Sequence, residues 1–252
     1  MGKIIKKKYS TLVLSDLHLG SSSSRPQEVL TFLKSVSCET LILNGDIIDG
    51  WALKKGGKWT KEHTKVIRKI LKMTYSGNVK VIYIRGNHDD FLDNILPLTI
   101  PGIDIRKDYI HQSFGKKFYV VHGDFFDLIT TKFKFLSVLG GAAYDFLIWF
   151  NKKYNQYRAW RGLEYYSLSQ TIKYKVKAAV SFMSDFENTL SAYAKKQGYD
   201  GVICGHIHHP EIKNINGVTY MNSGDAVESM TCLAEEFDGE WKIINIGGKT
   251  YE

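Results

Sequence analysis

Five short strand-like runs in this chain each end in a cluster of Asp, His or Asn residues, and this repetition is the strongest constraint on the fold. The clusters are Asp16-Leu-His18, Gly45-Asp46-Ile-Ile-Asp49, Gly86-Asn87-His88-Asp89, His122-Gly-Asp124 and Gly205-His206-Ile-His208. In an open α/β sheet, ligands gather just beyond the carboxyl ends of the strands. Any one cluster is weak evidence alone, but together they predict a single polar crevice at one edge of a sheet.

The first half of the chain alternates strands with helices. Predicted strands lie at residues 10–15, 40–44, 79–84, 118–121, 201–204 and 218–221, with a closing hairpin around Asp238-Gly239. Helical spacing of apolar residues predicts helices that begin at Pro26 and after Thr60. This order favours right-handed βαβ units in an α/β fold with a largely parallel sheet. We predict one domain over residues 1–252, interrupted by a helical insertion or cap at residues 125–197.

The residue types in the clusters are those of a divalent metal site. Carboxylate and amide oxygens together with imidazole nitrogens suit Mn²⁺, Fe²⁺ or Zn²⁺. Cysteine is absent from all five clusters, which argues against a structural zinc site. Two ions about 3.5–4 Å apart can clamp both the entering and the leaving oxygen of an in-line displacement. The glycines at positions 45, 86 and 205 would let the backbone turn sharply beside an ion or a phosphate.

Composition limits the remaining classes of protein. With 252 residues, 44% of them hydrophobic, the chain can bury a full core. Cys38, Cys204 and Cys232 are scattered in apolar runs and predict reduced, buried thiols of a cytoplasmic protein. The sequence starts without a secretory signal, and no run reaches the ~20 apolar residues needed to cross a bilayer. The net charge of +8 favours an anionic partner, whether a phosphate substrate, nucleic acid or an acidic bilayer face.

The ordered clusters resemble the motifs of the calcineurin-like metallophosphoesterases over the range from about Thr11 to Gly224. The resemblance implies an αββα sandwich, with two sheets between layers of helices, in place of the single sheet considered above. It also implies two divalent ions, for which we expect manganese, with iron or zinc as alternatives. The implied ligands are Asp16, His18 and His208 for one ion, Asp46 as the bridge, and Asn87, His122 and His206 for the second.

The same resemblance implies roles for residues beside the ligands. His88 is similar to the histidine that is catalytic or contacts the phosphate, and Asp89 to the group that orients its imidazole. Asn87 would contact the substrate as well as the metal. Asp49 and Asp124 would support the ligands or cap helices without binding metal, or have only a structural role.

Other polar residues near the motifs have two open interpretations. Asn44, Arg85 and His209 are neighbours of motif residues, where they would either contact substrate or satisfy a strand end or loop. We list Arg85 among the expected substrate-binding residues. His63 and His111 are expected to be structural.

Three details resemble the UDP-2,3-diacylglucosamine hydrolase branch of this superfamily. They are the run from Thr11 to Gly20, the continuation Asn87-His-Asp-Asp-Phe91, and a helical insertion after Asp124. Enzymes of that branch act at the membrane periphery in lipid A synthesis and release UMP and a diacyl sugar phosphate. The chain departs from the best-known members because His88 stands where they carry Arg after the metal-binding Asn. This difference affects the prediction of the substrate but not the prediction of the metal ligands.

The predicted insertion crowds aromatic residues and cations between residues 130 and 177. One interpretation is a helical pair that buries its aromatic face while the cations stay solvated. A second is a cap with an apolar groove for acyl chains and a basic rim, in which Lys152, Lys153, Arg158 and Arg161 bind substrate or anionic lipid heads. A third is binding of single-stranded nucleic acid, although no recognised nucleic-acid module accompanies the cluster.

The leading functional prediction is a metal-dependent hydrolase that cleaves the pyrophosphate of a nucleotide-linked lipid. We expect it in the cytoplasm, where the inner face of the membrane would be a peripheral site of action. The alternative is a general metallophosphodiesterase or phosphatase with a soluble substrate, in which the insertion only packs. A nucleic-acid-binding protein with a vestigial metal fold is the third reading, and the intact ligand set argues against it.

Overall fold

The computed structural model describes residues 6–77, 79–126, 152–154, 156–163 and 168–247, and its strands form two mixed sheets. The strands are β1 (Lys7–Leu14), β2 (Val36–Asn44), β3 (Lys80–Ile84), β4 (Leu98–Ile100), β5 (Ile103–Arg106), β6 (Asp108–Ser113), β7 (Lys116–Val121), β8 (Gly201–Cys204), β9 (Glu211–Ile215), β10 (Val218–Asn222), β11 (Thr231–Glu235) and β12 (Trp241–Asn245). The helices are α1 (Pro26–Ser35), α2 (Gly50–Lys54), α3 (Lys61–Gly77) and α4 (Leu168–Lys196), with 3₁₀ turns at Asp90–Ile95 and Asp124–Phe126.

Each sheet has a parallel centre and antiparallel edges. The larger sheet has the order β12-β11-β1-β2-β3-β5-β4, and β1, β2, β3 and β5 run parallel. The smaller sheet has the order β6-β7-β8-β10-β9, and β7, β8 and β10 run parallel. Because parallel strands end at the same edge, the loops that follow them are collected at that edge.

Alternation of side chains along the central strands divides the core into two layers. Leu12 and Leu14 of β1 pack in a cluster with residues of α1 and α3, whereas Val13 packs toward the smaller sheet. Phe118 and Val120 of β7 belong to the layer between the sheets. Their neighbour Tyr119 points to the opposite face, where its ring centroid lies 5.3 Å from that of Tyr193 in α4. Helices therefore lie outside both sheets, and the predicted αββα sandwich is confirmed.

The helix after Thr60 begins as the sequence predicts. The backbone N–H of His63 donates to Thr60 Oγ1 (3.4 Å), and the backbone N–H of Thr60 donates to His63 Nδ1 (3.1 Å). This reciprocal pair satisfies donors that the first turn of α3 would otherwise leave open. His63 is buried and also lies 2.9 Å from Ser24 Oγ, so it has the structural role that we expected.

Two compact units divide the chain, residues 1–125 with 189–252 and residues 126–188. Of the predicted insertion at 125–197, residues 152–154 and 156–160 are helical and α4 forms its end, whereas residues 127–151 lie outside the described part. The division into one domain with a cap stays a prediction. Among the helices of the described residues, none combines the length and the apolar character that crossing a bilayer requires.

Candidate metal centre

The five predicted clusters lie together because each directly follows a parallel strand, namely β1, β2, β3, β7 or β8. Backbone hydrogen bonds join the loops to one another. The N–H of Asp16 donates to the carbonyl of Gly45 (3.0 Å), and the N–H of His18 donates to the carbonyl of Asp46 (2.9 Å). The N–H of Gly205 donates to the carbonyl of His122 (3.0 Å). The loops thus form one connected structure that spans both sheets.

Left-handed backbone conformation is concentrated at the candidate ligands. Asp16, His18, Asp46, His206 and His208 have φ between 46° and 68°, and they are five of the eight non-glycine residues with positive φ in the described chain. Asp and His enter this region more readily than most residues, but each such residue still has a cost in stability. The conformation turns the chain sharply at these positions, so that Asp16 and His18 can reach a shared site and His206 and His208 two neighbouring ones.

Gly45 is required by a close approach between the two sheets. Its φ is 83°, and a Cβ at this position would collide with the imidazole ring of His122. Any side chain here would displace a candidate ligand, so the sequence needs glycine before Asp46.

Asp16, His18 and His208 form the first group of candidate ligands, with ligand atoms that all lie within 4.8 Å of one another. Asp16 Oδ1 is 3.2 Å from His208 Nε2 and 3.8 Å from His18 Nε2. Asp16 is fully buried, and the backbone N–H of His206 donates to its Oδ2 (3.1 Å). The structure therefore brings together the three residues predicted for one ion.

Asp46, His122 and His206 form the second group of candidate ligands by the same criterion. Asp46 Oδ2 lies 3.4 Å from His122 Nε2 and 3.8 Å from His18 Nε2. Asp46 thus faces histidines of both groups. This is the placement expected of a carboxylate that bridges two ions.

Two buried atoms, one in the second group and one on the loop after β3, fit a metal ligand set. His122 Nδ1 donates to the carbonyl of Asn44 (2.9 Å), which fixes the tautomer and leaves the lone pair of Nε2 for another partner. Among the described residues, neither His122 Nε2 nor Asn87 Oδ1 has a hydrogen bond, although both atoms are buried. Buried polar atoms rarely lack a hydrogen-bond partner. A divalent ion would satisfy both atoms, because oxygens and imidazole nitrogens are suitable ligands for it.

Opposite charges in the centre shift the pKa values of its members in opposite directions. Burial alone would raise the pKa of Asp16 and Asp46, but the neighbouring imidazoles outweigh it, so the pKa of Asp16 is lowered and that of Asp46 falls to about 2. Burial alone would lower the pKa of His122 and His208, but the carboxylates raise these values to about 10 and about 9. A ligating imidazole must be neutral, so a divalent ion would displace these protons.

His88 is held by Asp49, and this corrects the prediction that Asp89 orients its imidazole. His88 Nδ1 donates to Asp49 Oδ1 (2.8 Å), and its Nε2 lies 3.9 Å from Asp46 Oδ2. Asp49 Oδ1 also accepts from the N–H of Ala52 and so caps α2. The carboxylate of Asp89 instead accepts from the backbone N–H groups of residues 47 and 48 and from the hydroxyl of Tyr83. Burial lowers the pKa of His88, although the carboxylates of Asp46 and Asp49 oppose this effect.

Three residues beside the motifs have partners that the sequence did not indicate. Arg85 Nε donates to Asp93 Oδ1 (2.9 Å), and its Nη1 donates to Asp124, so its expected contact with substrate stays a prediction. Asn44 is fully buried and its Nδ2 donates to the carbonyl of Val121 (3.2 Å), which gives it a structural role between the two sheets. His209 Nε2 lies 3.6 Å from Glu211 Oε2.

The sequence analysis missed Asp225, which supports the centre from the loop after β10. It is fully buried, and its Oδ1 accepts from the backbone N–H of Val227 (2.7 Å). Its Oδ2 lies 4.0 Å from His208 Nδ1. The available signal was an Asp shortly after a further parallel strand, in the run Asn222-Ser-Gly-Asp225, which lies outside the five predicted clusters.

The four cations predicted to bind substrate lie in the second compact unit. Lys152, Lys153 and Arg161 are exposed, and the guanidinium of Arg158 lies 5.7 Å from the ring centroid of Tyr154. Tyr157 and Trp160 are in ring contact and are 51% and 79% exposed. Within the described part of this unit, the aromatic side chains are therefore not all buried as packing alone would require.

The fold and the ligand groups define a metal-dependent phosphoesterase. A family model described as calcineurin-like phosphoesterase matches residues 9–210, and the chain belongs to this family. No curated protein matches the chain.

Several solved structures are similar to this chain along most of its length. An archaeal phosphodiesterase is 15% identical, with 93% of this chain and 98% of that one covered and a TM-score of 0.42. Vps29 of Entamoeba histolytica in complex with zinc is 13% identical, with 94% and 98% covered and a TM-score of 0.44. Vps29 of Chaetomium thermophilum is 10% identical, with 93% and 94% covered and a TM-score of 0.45. The family assignment rests on the match over residues 9–210.

Proposed function

We propose that this chain is a dinuclear metallophosphoesterase that hydrolyses the pyrophosphate of UDP-2,3-diacylglucosamine, or of a similar nucleotide-linked lipid, to UMP and a lipid sugar phosphate. The observation that carries the phosphoester chemistry is the convergence of two three-residue ligand groups on the carboxylate of Asp46. The lipid is supported by the resemblance of the motifs to the diacylglucosamine hydrolases and by the second compact unit.

The residues present would hold two divalent ions. Asp16, His18 and His208 would hold one, Asn87, His122 and His206 the other, and Asp46 would bridge them. Bound ions supply positive charge that polarises the scissile phosphate and lowers the pKa of a bound water. We expect manganese, with iron or zinc as alternatives.

His88 has the geometry of a proton donor or phosphate contact. Asp49 fixes its Nδ1, so its Nε2 is directed to the side on which Asp46 lies. The imidazole is held between two rings, with centroids 4.6 Å from His18 and 4.3 Å from Trp51. A side chain fixed in this way can meet a leaving oxygen without rearrangement, as general acid catalysis requires.

The exposed aromatic and basic residues of the second unit support a lipid substrate. Tyr157, Trp160 and Leu163 are 51–79% exposed, and Lys152, Lys153 and Arg161 are exposed in the same stretch. Burial of methylene groups at ~0.8 kcal/mol each would let an apolar surface outweigh the cost of ordering acyl chains. The cations would face phosphates or anionic lipid heads, consistent with action at the membrane periphery.

The deciding experiment compares kcat/KM for acylated and deacylated UDP-glucosamine in the same detergent. We expect the acylated compound to be preferred by the purified, manganese-loaded enzyme. Equal kcat/KM values would show that the enzyme does not recognise the acyl chains. They would support the alternative, a general metallophosphodiesterase, which is consistent with His88 at the position where the best-known lipid enzymes carry Arg.

Charge reversal tests the second unit separately from the metal centre. The variant Lys152→Glu/Lys153→Glu should bind anionic vesicles more weakly and cleave bis(p-nitrophenyl) phosphate at the wild-type rate. A matched control is Lys195→Glu/Lys196→Glu at the end of α4, which lies in the first unit. The same loss of vesicle binding in both variants would show that the attraction depends only on net charge.

A further inference from the structure

Two exposed aromatic side chains lie near His88, one in ring contact with it and one three residues further along the chain. Trp51, in the first turn of α2, is 36% exposed, and its ring centroid lies 4.3 Å from that of His88 with an angle of 34° between the rings. Phe91 follows His88 in the 3₁₀ turn and is 42% exposed. We call these two residues the aromatic rim. The proposed reaction requires His88 and the metal ligands but not the aromatic rim.

The rim is held in place by its surroundings. Trp51 Nε1 donates to Asp90 Oδ2 (3.2 Å), and α2 is capped by Asp49, the residue that also holds His88. The N–H of Gly50 donates to the carbonyl of His88 (3.0 Å). A Cβ at Gly50 would lie 2.9 Å from Phe91 Cδ1, so the absence of a side chain there lets the phenyl ring lie against α2.

An exposed aromatic ring that is fixed beside His88 can bind part of a substrate. Large aromatic side chains gain from burial, and their faces bind planar rings by offset stacking. Base–aromatic stacking tolerates different bases because every base has a π-face. Flexible alkyl chains gain less from such a rim, since they must lose rotamer freedom to lie along it.

We propose that the aromatic rim binds a planar ring on the group esterified to the scissile phosphate, so that Trp51 and Phe91 determine specificity for the nucleobase side of the substrate. This inference rests on the proposed function, because it assigns a part of the same substrate. It adds a subsite and its ligand class, a planar aromatic ring. Under the reaction proposed above, that ring is the uracil.

The first test uses three diesters that share a p-nitrophenyl leaving group and carry phenyl, hexyl or methyl as the other group. We expect the wild-type enzyme to prefer phenyl over methyl about tenfold in kcat/KM, mostly through KM. Trp51→Ala should bring the phenyl ester to the level of the methyl ester, Phe91→Ala should reduce the preference, and Trp51→Phe should keep most of it. An unchanged phenyl-to-methyl ratio in Trp51→Ala would overturn the proposal, and so would a hexyl ester as good as the phenyl ester.

Trp59→Ala is the matched control. Trp59 is 41% exposed, its Nε1 donates to Thr64 Oγ1 (2.9 Å), and its ring lies 5.2 Å from a histidine, His63, that is not a candidate ligand. The ratio of rates should be unchanged in this variant. Metal content is measured in each variant, because Trp51 packs on His88 and its removal could disturb the centre.

A second readout does not depend on turnover. UMP should quench part of the tryptophan fluorescence of the wild-type protein, and Trp51→Phe should remove that part while Trp59→Phe keeps it. Equal quenching in all three proteins would overturn the subsite. If the wild-type protein hydrolyses neither these diesters nor UDP-2,3-diacylglucosamine, the proposed function fails, and the quenching experiment still decides whether Trp51 binds a planar ring.

Discussion

His111 lies on β6, and His122 directly follows the neighbouring strand β7 of the smaller sheet. Both histidines are buried, but only the Nε2 atom of His111 has a hydrogen-bond partner among the described residues. His111, on β6, lies with its Nε2 3.2 Å from Glu235 Oε2 and 3.4 Å from Thr11 Oγ1. Both partners belong to the larger sheet, so His111 joins the two sheets. His122 follows β7 and leaves its Nε2 without a hydrogen bond from the described residues.

The difference shows how one residue type serves stability at one place and function at another. A buried polar group with all its partners stabilises a single packing of the two sheets. A buried polar atom that lacks a hydrogen-bond partner lowers the stability of the fold. Proteins retain such an atom where it has a function, such as binding a ligand. We therefore expect His111 to stabilise the packing of the two sheets and His122 to bind a metal ion. Substitutions can test this difference.

The largest effect is expected from Asp46, which belongs to the second ligand group and faces His18 of the first. Asp46→Ala should lose both ions and nearly all activity, because one carboxylate neutralises two cations. Elemental analysis of the purified variant measures the loss. Two tightly bound ions per chain in this variant would remove Asp46 as the bridge.

His88→Asn should keep the metal content and lower kcat by ~10²–10⁴-fold if His88 donates a proton. The reason is that His88 is assigned to neither ion: Asp49 holds its Nδ1, while its ring also forms a third group of possible ligands with His18 and Asp46. Steady-state kinetics and elemental analysis on the same preparation decide this. Loss of metal with unchanged residual turnover would show that His88 is a ligand instead.

Alanine at the two compared histidines should have opposite consequences. His122→Ala should weaken metal binding, since it removes a candidate ligand. His111→Ala should keep the metal and lower the free energy of unfolding by about 2 kcal/mol, because it removes one hydrogen-bond partner of the buried carboxylate of Glu235. Urea denaturation measures the free energy of unfolding of both variants, and elemental analysis measures their metal content. Metal loss from the His111 variant would break the comparison.

The smallest effect concerns the pH dependence of the cluster around His111. Burial alone would raise the pKa of Glu235, but hydrogen bonds from His111, Ser113 and Thr11 outweigh it and lower the pKa. A lowered folded-state pKa stabilises the fold above the unfolded value of ~4.3 and loses this contribution as pH falls through the folded value. Glu235→Gln should therefore cost about 1 kcal/mol at pH 7 and less at pH 3. A difference that does not change between these pH values would contradict the assignment.

The sequence predicted the ligand positions because each depends on a short local pattern at a strand end. Asp16 and His18 need only their own turn to reach the same group, whereas His206 and His208 of one turn reach different groups. The αββα arrangement came from the resemblance to the family, since the βα alternation alone indicated a single sheet. The short strands β4, β5, β6 and β9, at or next to the edges of the sheets, were not predicted, because their side chains alternate weakly and are mostly only partly buried.

The role of Asp49 shows what a local pattern cannot predict. Asp89 is the neighbour of His88 in sequence, but its carboxylate turns toward the backbone amides after Asp46. Asp49 lies 39 residues before His88 and reaches it across the start of α2. Which of two carboxylates meets a histidine depends on the path of both loops, and no spacing along the chain encodes that choice.

The first ligand group joins Asp16 to His208 across 192 residues, and this separation has a consequence for synthesis. A growing polypeptide leaves the ribosome from its amino end. Asp16, Asp46 and Asn87 emerge early, but neither ligand group is complete until His206 and His208 have been added. Acquisition of metal by a nascent chain would therefore report that the strands before the ligand loops, β1, β2, β3, β7 and β8, have been made, and a chain that stops before residue 206 has neither full set.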